Sequence, residues 1–453
     1  MRIDRISIQN MRLVGEDTRE LRIDPSKNVL ILLGDNGFGK TTLLDAMATA
    51  IAPFPAQFPG ISDFQLSDMD VHINRQGRRA KYLSVDADLF DEGLIMKSVR
   101  YRKGTQTAPK TNFEQVKQAA LAKKEAILAG EPHIELPIFA YYGTGRGQFQ
   151  VPERRRGFQQ TFERWDCYKS ALNPETDFKR FFGWFDLMED QERRDREKLR
   201  DFNYQSPVLN AVRTALSEVV DAYQNPRIET RPLRFIMDRV DSDGSSHELR
   251  IEQLSEGYKI IIAMVADLAA RMAEANPEMG NPLQATGIVL IDEVDLHLHP
   301  RWQRDILVQL SQVFPHIQFI VSTHSPVIVV GAAEIAQVVN LNNINADKEL
   351  AQEEVPISNI GQVLLSDLFN LNYLHSPEWD EKINERNALL AKIASIMSAR
   401  MKELGMTQKM LAEKMNCTQQ YISKILKGRE NLSLEALSRI ENALNIHFLQ
   451  MDK

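Results

Sequence analysis

The segment from Asn28 to Thr41 restricts the fold of this chain more than any other part of the sequence. Asn28 to Leu33 is an uninterrupted apolar run, which is typical of a β-strand buried on both faces of a parallel sheet. The run is followed at once by the pattern GDNGFGKT at residues 34–41 and by a helix predicted over 41–51. A strand, a glycine-rich turn and a helix in this order predict a phosphate-binding loop, because the glycines let backbone N–H groups approach phosphate oxygens.

Two side chains of this loop have the chemistry that a bound nucleoside triphosphate needs. Lys40 is expected to reach the β- and γ-phosphates, and the Thr41 hydroxyl is expected to bind Mg²⁺. The whole predicted binding set of the loop is Asn36, Gly37, Gly39, Lys40, Thr41 and Thr42. A chance glycine-rich turn is the alternative, and the flanking strand and helix weigh against it. The sequence therefore predicts a site for ATP and Mg²⁺.

A second apolar strand ends in two adjacent carboxylates. Ile288 to Ile291 reads as a buried strand, and Asp292 and Glu293 follow it directly. Asp292 is expected to hold Mg²⁺, directly or through water, and Glu293 to polarise an attacking water molecule. A solvated acidic pair after a strand is common, but beside a complete phosphate loop the catalytic interpretation is the stronger one. With Lys40 this predicts an ATPase that forms ADP and phosphate.

The order of the predicted elements indicates an α/β fold with a mixed, mostly parallel sheet. Strands alternate with helices over most of the chain, and an all-helical pattern of its own follows at the C-terminal end. The predicted organisation is an ATPase domain at 1–345 with an inserted helical lobe at about 53–230, a linker at 346–385 and a small all-α domain at 386–453. The distribution of charge supports a separate C-terminal domain. Residues 386–453 contain 11 Lys and Arg against 6 Asp and Glu and are therefore net positive, whereas the whole chain has a net charge of −7.

Composition excludes several other classes of protein. The longest apolar stretch, Ile260 to Ala270, contains Asp267 and is far shorter than the ~20 residues of a membrane-spanning helix. Cys167 and Cys417, the two cysteines of the chain, support neither a disulfide framework nor a four-thiolate zinc site. We therefore expect a cytoplasmic protein without a membrane partner.

Three further segments make the chain resemble one group of phosphate-loop ATPases. They are LSEGY at 254–258 before a long helix, VDLHLHP at 294–300 after the acidic strand, and STHSP at 322–326 after the next strand. They resemble the signature motif, the D-loop and the switch-histidine loop of the soluble ABC-type ATPases of the RecF, OLD and SMC type. Glu256 departs from the glycine that transporters usually carry, and this disfavours an ABC transporter.

The resemblance implies a composite site shared by two chains. In this family the signature segment of one subunit faces the γ-phosphate bound by the other, so Ser255 and Gly257 would complete the partner's site. His324 would contact the γ-phosphate in its own chain, and Asp295 would couple the two sites. The implied assembly is a homodimer or higher oligomer with two ATP molecules held between the heads. A plain surface histidine is the alternative for His324.

Two more nucleotide contacts are predicted with open alternatives. Gln148 follows the predicted strand 134–142 and is a candidate for the glutamine that senses Mg²⁺ and the γ-phosphate, or else is an ordinary loop residue. Arg12, in QNMR at 9–12, resembles a segment of RecF-like heads that lies near the nucleotide, although Met11 replaces an aromatic residue. A solvated strand-end arginine is the other interpretation of Arg12.

A narrower resemblance comes from the segment FAYYGTGR at 139–146 together with the aromatic stretch at 178–185. Both are similar to segments of bacterial ATPases that include the ATPase subunit of Septu-type anti-phage systems, which work beside a separately encoded HNH nuclease. Core packing is the other explanation of these aromatic residues. A nuclease on the same chain is disfavoured, because no Asp-x-Asp cluster follows Pro326.

The last ~55 residues resemble the Cro and phage-repressor class of helix-turn-helix domains. Capping residues Thr407, Thr418 and Ser433 start three short predicted helices, and a longer one is predicted over 389–404. The resemblance implies that the helix starting after Thr418 reads DNA. The expected base contacts are Gln419, Gln420 and Ser423, and the expected phosphate contacts are Lys424, Lys427 and Arg429. A helical dimerisation bundle that does not bind DNA is the alternative.

These features lead to one main functional hypothesis and two others. The first is an ATPase that serves as the nucleotide-gated switch of a Septu-like bacterial defence complex, with an effector such as an HNH nuclease and a DNA-binding module. The alternatives are a transcription regulator tuned by nucleotide and an ATPase of DNA repair or maintenance.

Overall fold

The computed structural model forms two compact units, Met1–Asn370 and Leu371–Lys453, which are described separately below. The residues that the structure describes are 1–104, 110–147, 161–175, 178–220, 222–230, 232–241, 243–342, 344, 349–353, 355, 360–366, 368–369, 377–427, 432–446 and 448. At 360–361, 377–381, 383–384 and 434 the description covers the backbone alone. None of the helices within these ranges is long and apolar enough to cross a membrane.

The strands and helices are numbered in chain order. The strands are β1 Arg2–Gln9, β2 Arg19–Arg22, β3 Val29–Leu33, β4 Tyr82–Asp91, β5 Leu94–Lys103, β6 Ile138–Tyr142, β7 Tyr223–Thr230, β8 Leu233–Val240, β9 Ser246–Arg250, β10 Gly287–Ile291, β11 Ile317–Thr323, β12 Ala336–Asn340 and β13 Glu349–Leu350. The helices are α1 Lys40–Ile51, α2 Glu114–Leu128, α3 Phe178–Leu199, α4 Pro207–Val219, α5 Glu256–Ala275, α6 Pro300–Val313, α7 Pro326–Ala332, α8 Ile360–Leu365, α9 Pro377–Glu403, α10 Gln408–Lys414, α11 Gln419–Leu426 and α12 Leu434–Leu444.

A parallel five-stranded sheet lies at the centre of the first unit, in the order β12-β3-β11-β10-β6. Every residue of β3, β6, β10 and β11 is buried, which explains why the sequences of β3, β6 and β10 are continuous apolar runs rather than alternating ones. The register pairs Leu33 with Thr323, and Ile291 with both Val321 and Tyr142. Because the strands are parallel, their carboxyl ends lie along one edge of the sheet.

Two further sheets, of five and three strands, lie in the first unit. One has the order β13-β2-β1-β4-β5, and its β1, β2, β4 and β5 pair antiparallel, whereas β13 runs parallel to β2. The other is the antiparallel β7-β8-β9. The α/β fold class with a mixed sheet arrangement is therefore confirmed.

The inserted helical lobe predicted at about 53–230 needs correction. Residues 82–103 form two strands of the antiparallel sheet, and β6 is an edge strand of the central sheet, so much of this range belongs to the sheet framework. Among the described residues of this range, the α-helices are α2, which packs beside β5, and α3 and α4. The proposed domain bounds at 345 and 385 remain a prediction. In the structure α9 begins at Pro377, inside the range predicted as a linker.

Buried helices hold the first unit together. Eleven of the twelve residues of α1 are buried, since this helix packs against strands of the central sheet and of the sheet β13-β2-β1-β4-β5. Helix α5 is buried continuously from Ile260 to Ala275 and packs against α4, α3 and β6. Both helices begin at segments that the sequence singles out, so their burial fixes the phosphate loop and the signature segment rigidly.

The second unit is a small helical domain with an apolar core. Its three short helices begin at Thr407, Thr418 and Ser433, whose hydroxyls accept the backbone N–H groups of Met410, Tyr421 and Ala436. The buried residues that form the core are Ile393, Met397, Met401, Leu411, Ala412, Met415, Ile422, Ile425, Ile440, Ala443 and Leu444. The helices α10 and α11 occupy the positions that the capping residues predict.

Candidate nucleotide-binding site

The phosphate loop joins the end of β3 to the start of α1. Gly37 and Gly39 have φ angles of 85° and 90°, which glycine adopts without the strain that a Cβ would bring. A Cβ on Gly37 would meet no atom within 4 Å, so the loop is open on that side. No side chain caps α1 at Gly39, and its first turn has no acidic residue. The free N–H groups at the start of α1 therefore suit a phosphate group.

Lys40 is held inside this loop. Its ammonium donates to the carbonyl oxygens of Gly34 at 2.7 Å and Asp35 at 3.1 Å, and the residue is only 6% exposed. Burial lowers the pKa of Lys40 below its ordinary value, while the carboxylates of Asp292 and Glu293 oppose this shift. A positive charge at the N-terminus of α1 can form charge-assisted hydrogen bonds with the phosphate oxygens of a triphosphate.

Thr41 and Asp292 meet across the edge of the central sheet. The Thr41 hydroxyl donates to one Asp292 carboxylate oxygen at 2.8 Å, and the Ser322 hydroxyl donates to the other at 2.5 Å. A hydroxyl and a carboxylate in direct contact are oxygen ligands of the kind that Mg²⁺ prefers, so the residues present fit this ion. Ser322 is a member of the site that the sequence identified only as part of the switch-histidine segment.

The backbone at Glu293 is unusual. Glu293 has a φ of 49°, a left-handed conformation that an ordinary residue retains only when its surroundings enforce it. The enforcing contacts are visible, because the Glu293 N–H donates to the Ser322 hydroxyl at 2.7 Å and the Val294 N–H to the Ser322 carbonyl at 2.9 Å. The Glu293 side chain is half-buried at the end of the acidic strand.

Arg146 is the most important residue that the sequence did not assign. It lies just after β6, is 2% exposed, and its guanidinium donates to the carbonyl oxygen of Gly143 at 3.0 Å and to those of Asp292 and Glu293. Burial lowers the pKa of Arg146, and the carboxylates of Asp292, Asp295 and Glu293 act in the opposite direction. The hydrogen bonds of the guanidinium thus connect the segment after β6 to the backbone of Asp292 and Glu293.

His324 follows β11 at the same edge of the sheet. Its Nε2 atom is buried, and within the described part of the chain it has no hydrogen-bond partner. A buried polar atom without a partner is rare in folded proteins and indicates a place where a ligand group fits. An anionic oxygen of a bound nucleotide is one such group, because a histidine N–H can donate to it.

The D-loop and the switch-histidine loop are joined by hydrogen bonds. The Thr323 hydroxyl donates to the Asp295 carboxylate and accepts the Ser325 N–H at 2.9 Å. The Ser325 hydroxyl donates in turn to the side-chain oxygen of Gln303 at 2.7 Å, and the Gln303 amide donates to the Leu298 carbonyl at 2.9 Å. The sequence predicted Asp295 but missed Gln303, whose position on α6 gives no motif signal.

The signature segment contacts the D-loop of the same chain. A Cβ on Gly257 would lie 2.7 Å from the carbonyl oxygen of His297, so only glycine fits there. Glu256 lies near the ring of the same histidine, with 3.8 Å between Oε2 and Nδ1. Ser255 begins α5 without using its hydroxyl as a cap, and its side chain is exposed. The N-terminus of α5 is thus not capped by a side chain, and it packs against the D-loop of the same chain.

Arg12 lies close to the phosphate loop but is engaged elsewhere. Its guanidinium contacts Asp45 of α1 at 2.6 Å and Asp70 at 2.9 Å. Although burial works against the charge, these two carboxylates raise the pKa of Arg12. The side chain of the neighbouring Leu13 lies against Gly39, so the segment that contains Arg12 packs against the phosphate loop. Gln148, the other uncertain candidate, lies outside the described residues.

Two tyrosines connect the carboxyl end of β6 with the helices. The Tyr141 hydroxyl donates to Asp45 of α1 at 2.9 Å, and the Tyr142 hydroxyl donates to Asp267 of α5 at 2.9 Å. Asp267 also accepts from Arg271 at 2.7 Å and is completely buried. The two helices that begin at the phosphate loop and at the signature segment are therefore both bonded to one strand of the central sheet.

The candidate DNA-contacting residues form a separate site on the second unit. Gln419, Gln420 and Lys424 are exposed on α11, and Ser423 is half-buried on the same helix. Lys427 is exposed directly after the helix ends, and Arg429 lies outside the described residues. The opposite face of α11 places Ile422 and Ile425 in the core, so the polar residues point to solvent.

This combination of a parallel sheet, a phosphate loop and an acidic strand end defines a phosphate-loop ATPase domain of the ABC type. The chain belongs to the family described as "AAA domain, putative AbiEii toxin, Type IV TA system", whose model matches residues 29–330. A second family model, a helix-turn-helix, matches residues 396–450. The ABC-type ATPase and helix-turn-helix resemblances drawn from the sequence are therefore confirmed.

Curated relatives include ATPases of bacterial retrons and Septu proteins. The chain is 27% identical over 382 residues to "Retron Ec83 probable ATPase" of Escherichia coli, covering 72% of this chain and 69% of that one. It is 28% identical to "Retron Vc95 probable ATPase" of Vibrio cholerae, covering 67% and 66%. It is 26% identical to "Septu protein PtuA" of Bacillus mycoides, covering 86% of this chain and 47% of that one. The resemblance to Septu ATPases is thus confirmed, and the chain spans only part of each relative.

Solved structures that are similar to this chain include SMC heads. One is an SmcHead bound to the C-winged helix domain of ScpA, at 14% identity and a TM-score of 0.45, covering 79% of this chain and 98% of that one. Another is the SMC head domain from Thermotoga maritima, at 14% identity and a TM-score of 0.42, covering 78% of this chain and all of that one.

Proposed function

We propose that this protein hydrolyses ATP with Mg²⁺ at sites formed between two copies of the chain. The phosphate loop of one copy holds the triphosphate, and Ser255 with the free N–H groups at the start of α5 in the other copy closes over the γ-phosphate. The exposed N-terminus of α5 and the serine hydroxyl that does not cap it support this arrangement, since neither has a hydrogen-bond partner among the residues that the structure describes.

The carboxylates at the end of β10 would do the chemistry. Thr41 and Asp292 would hold Mg²⁺, which when bound neutralises charge on the phosphates and orients them. Glu293 would accept a proton from the attacking water, and its left-handed backbone, held by Ser322 and Arg146, fixes the direction of its side chain. Lys40 and His324 would donate to the phosphate oxygens on which negative charge grows.

One observation carries this proposal. The structure brings Lys40, Thr41, Asp292, Glu293 and His324 to one edge of the central sheet, although they lie up to 284 positions apart in the sequence. The buried His324 Nε2 without a described partner sits at this same edge. Such a convergence of donors and carboxylates suits a magnesium triphosphate.

A complementation experiment tests the shared site. Lys40→Ala removes the phosphate-loop charge, and Ser255→Arg blocks the surface that would cover the partner's γ-phosphate. Each variant alone should lose ATP turnover, but a mixture should recover part of it, because mixed dimers contain one intact loop facing one intact serine. Ser246→Arg, which changes an exposed serine at the start of β9, is the matched control and should hydrolyse like the parent.

Two results would contradict the shared site. Undiminished turnover by Ser255→Arg with no dimer in light scattering would leave the serine without a role. A mixture that stays inactive, while the parent hydrolyses ATP, would place the whole reaction within one chain.

We further propose that ATP-driven pairing and reopening is the switch of a cytoplasmic, Septu-like anti-phage defence complex. Similarity to retron and Septu ATPases supports this role, and an HNH nuclease encoded separately is the expected effector. The helix-turn-helix unit would bring the complex to DNA through α11. Co-purification of the chain with the product of a neighbouring nuclease gene, retained with ATP and lost with ADP, is the expected result.

A nucleotide-tuned transcription regulator is the second candidate. The match of residues 396–450 to a helix-turn-helix model and the exposed Gln419 and Gln420 on α11 favour it. Footprinting on the DNA upstream of the gene separates the two functions. Sequence-specific protection that is lost on Gln420→Ala supports regulation, whereas protection without sequence preference supports a defence or DNA-maintenance role.

A further inference from the structure

A strongly basic surface lies at one end of the sheet β13-β2-β1-β4-β5, on residues that neither the candidate nucleotide site nor the helix-turn-helix unit includes. It consists of Arg75, Arg78, Arg79, Lys81 and Lys103, and we call it the basic hairpin surface. All five residues are exposed. Within the described ranges none of the five forms an ion pair with a carboxylate, whereas the nearby Arg102 is paired with Asp68 at 3.0 Å.

The backbone brings these residues together. The strand segment at 71–73 turns back through residues 74–78, and Ile73 pairs with Arg79 in an antiparallel bridge. The chain then enters β4, whose first residue Tyr82 pairs with Lys103 of β5, while the Gly104 N–H donates to the Lys81 carbonyl at 2.8 Å. Neighbouring chain segments thus bring the five exposed cationic residues to the same end of the sheet.

The turn that presents Arg75 and Arg78 is rigid. The side-chain oxygen of Asn74 accepts the N–H groups of Gln76 at 3.0 Å and Arg78 at 2.9 Å. The Asn74 N–H donates to the Arg78 carbonyl at 2.9 Å, and Gly77 takes the positive φ of 76° that the turn needs. These hydrogen bonds order the backbone of the turn that carries both arginines.

We infer that the basic hairpin surface binds the sugar-phosphate backbone of a nucleic acid. Unpaired like charges fixed on an ordered surface raise a positive potential that attracts a polyanion. Arginine predominates over lysine, and its planar fork matches phosphate oxygens. The half-exposed rings of Tyr82 and Tyr101, whose centroids are 5.7 Å apart, lie beside Lys103 and Lys81 and offer a stacking surface for bases.

Charge reversal in the full chain tests this surface against a matched pair elsewhere. Arg78→Glu with Arg79→Glu removes two unpaired cations, and Arg193→Glu with Arg194→Glu changes two adjacent exposed arginines of α3 that already contact Asp190. Binding of a short random-sequence DNA duplex and of a single strand is measured by fluorescence anisotropy over a range of salt concentrations. Unchanged thermal unfolding of each variant shows that the fold is retained.

We expect the Arg78 and Arg79 pair to weaken binding at low salt by about ten-fold or more. The slope of log K against log salt should also become shallower by about 0.9 for each duplex phosphate no longer contacted. The control pair should change neither. Equal binding by both pairs would overturn the inference, and so would preference of the parent for polyglutamate over DNA at equal salt, which would indicate an acidic protein partner.

Discussion

The two units of this protein place their functional groups in opposite ways. In the unit Met1–Asn370 the groups of the candidate site are buried or half-buried, with Lys40 and Asp292 each 6% exposed and Arg146 2% exposed. In the unit Leu371–Lys453 the core is apolar, and Gln419, Gln420 and Lys424 face the solvent. A buried charge has few partners and depends on each of them, whereas an exposed charge is screened and replaceable. Substitutions should therefore act sharply in the first unit and gradually in the second.

Glu293→Gln should have the largest effect. The amide keeps the size of the side chain but cannot accept a proton from water, so kcat for ATP hydrolysis should fall by about 10²–10⁴. ATP binding should persist, and light scattering should show the paired form accumulating with ATP. Full turnover by the variant would remove Glu293 from the chemistry. Glu218→Gln, which changes an exposed carboxylate on α4 away from the site, is the control and should retain most activity.

Ile422→Ala tests whether the two units are independent. Ile422 is completely buried in the core of the second unit, and truncation of such a residue costs about 2–5 kcal/mol of unfolding free energy. The thermal transition of the second unit and the DNA binding through α11 should both be lost, while ATP binding by the first unit is unchanged. Calorimetry of the variant and of Gln420→Ala, an exposed change on the same helix, gives the measurement. A matching shift of the first unit's transition would contradict the comparison.

Arg146→Lys examines a positioning residue in the first unit. A lysine cannot donate to the carbonyls of Gly143, Asp292 and Glu293 together, so the Glu293 carboxylate should be displaced and kcat should fall by about 10–100-fold. The Kd for ATP should change little, because the phosphate loop is untouched, and this separates positioning from binding. Partial recovery with added guanidinium in Arg146→Ala would support the role. A Kd and kcat that both match the parent would refute it.

Glu274 makes the stability of the first unit depend on pH. Burial raises the pKa of Glu274 from 4.5 to about 7, although the Arg180 guanidinium acts against this shift. The folded state then holds a proton that the unfolded state has released, so this residue's contribution is complete below pH 4.5 and is lost as pH rises through about 7. Urea unfolding of Glu274→Gln between pH 5 and pH 8 should show a flatter pH dependence than the parent. Equal pH profiles would contradict the shift, and the exposed Glu278→Gln serves as the control.

Lys427→Ala should have the smallest effect. Lys427 is exposed after α11, and loss of one phosphate contact should reduce the salt slope of DNA binding by about 1 without changing sequence preference. An effect as large as that of a buried substitution would break the contrast between the units. Anisotropy titrations at several salt concentrations measure it, with Lys409→Ala on α10 as a control.

The sequence predicted those parts of the structure that short-range patterns determine. The strand and glycine spacing around 28–41 located the phosphate loop, the three hydroxyl caps located α10, α11 and α12, and the pair after Ile291 located the acidic strand end. Each of these signals depends on residues that are neighbours in the chain, where backbone geometry leaves few alternatives.

Other features depend on contacts between distant segments. Strand β5 was not predicted because it is a charged edge strand, and β7 because Pro226 interrupts its pattern. The contacts of Arg146 with backbone carbonyls some 146 positions away leave no mark in the sequence. Arg12 was assigned an open role, and only the fold shows that Asp45 and Asp70 engage its guanidinium.

The close approach between Gly257 and the His297 carbonyl has a consequence for the genetics of this protein. An allele that replaces this glycine forces the start of α5 away from its own D-loop, so it distorts a single subunit before any second subunit arrives. Screens that score such alleles as defects of assembly will confuse misfolding with loss of pairing. Ser255, whose side chain is exposed and does not cap α5, is the position at which the two phenotypes separate.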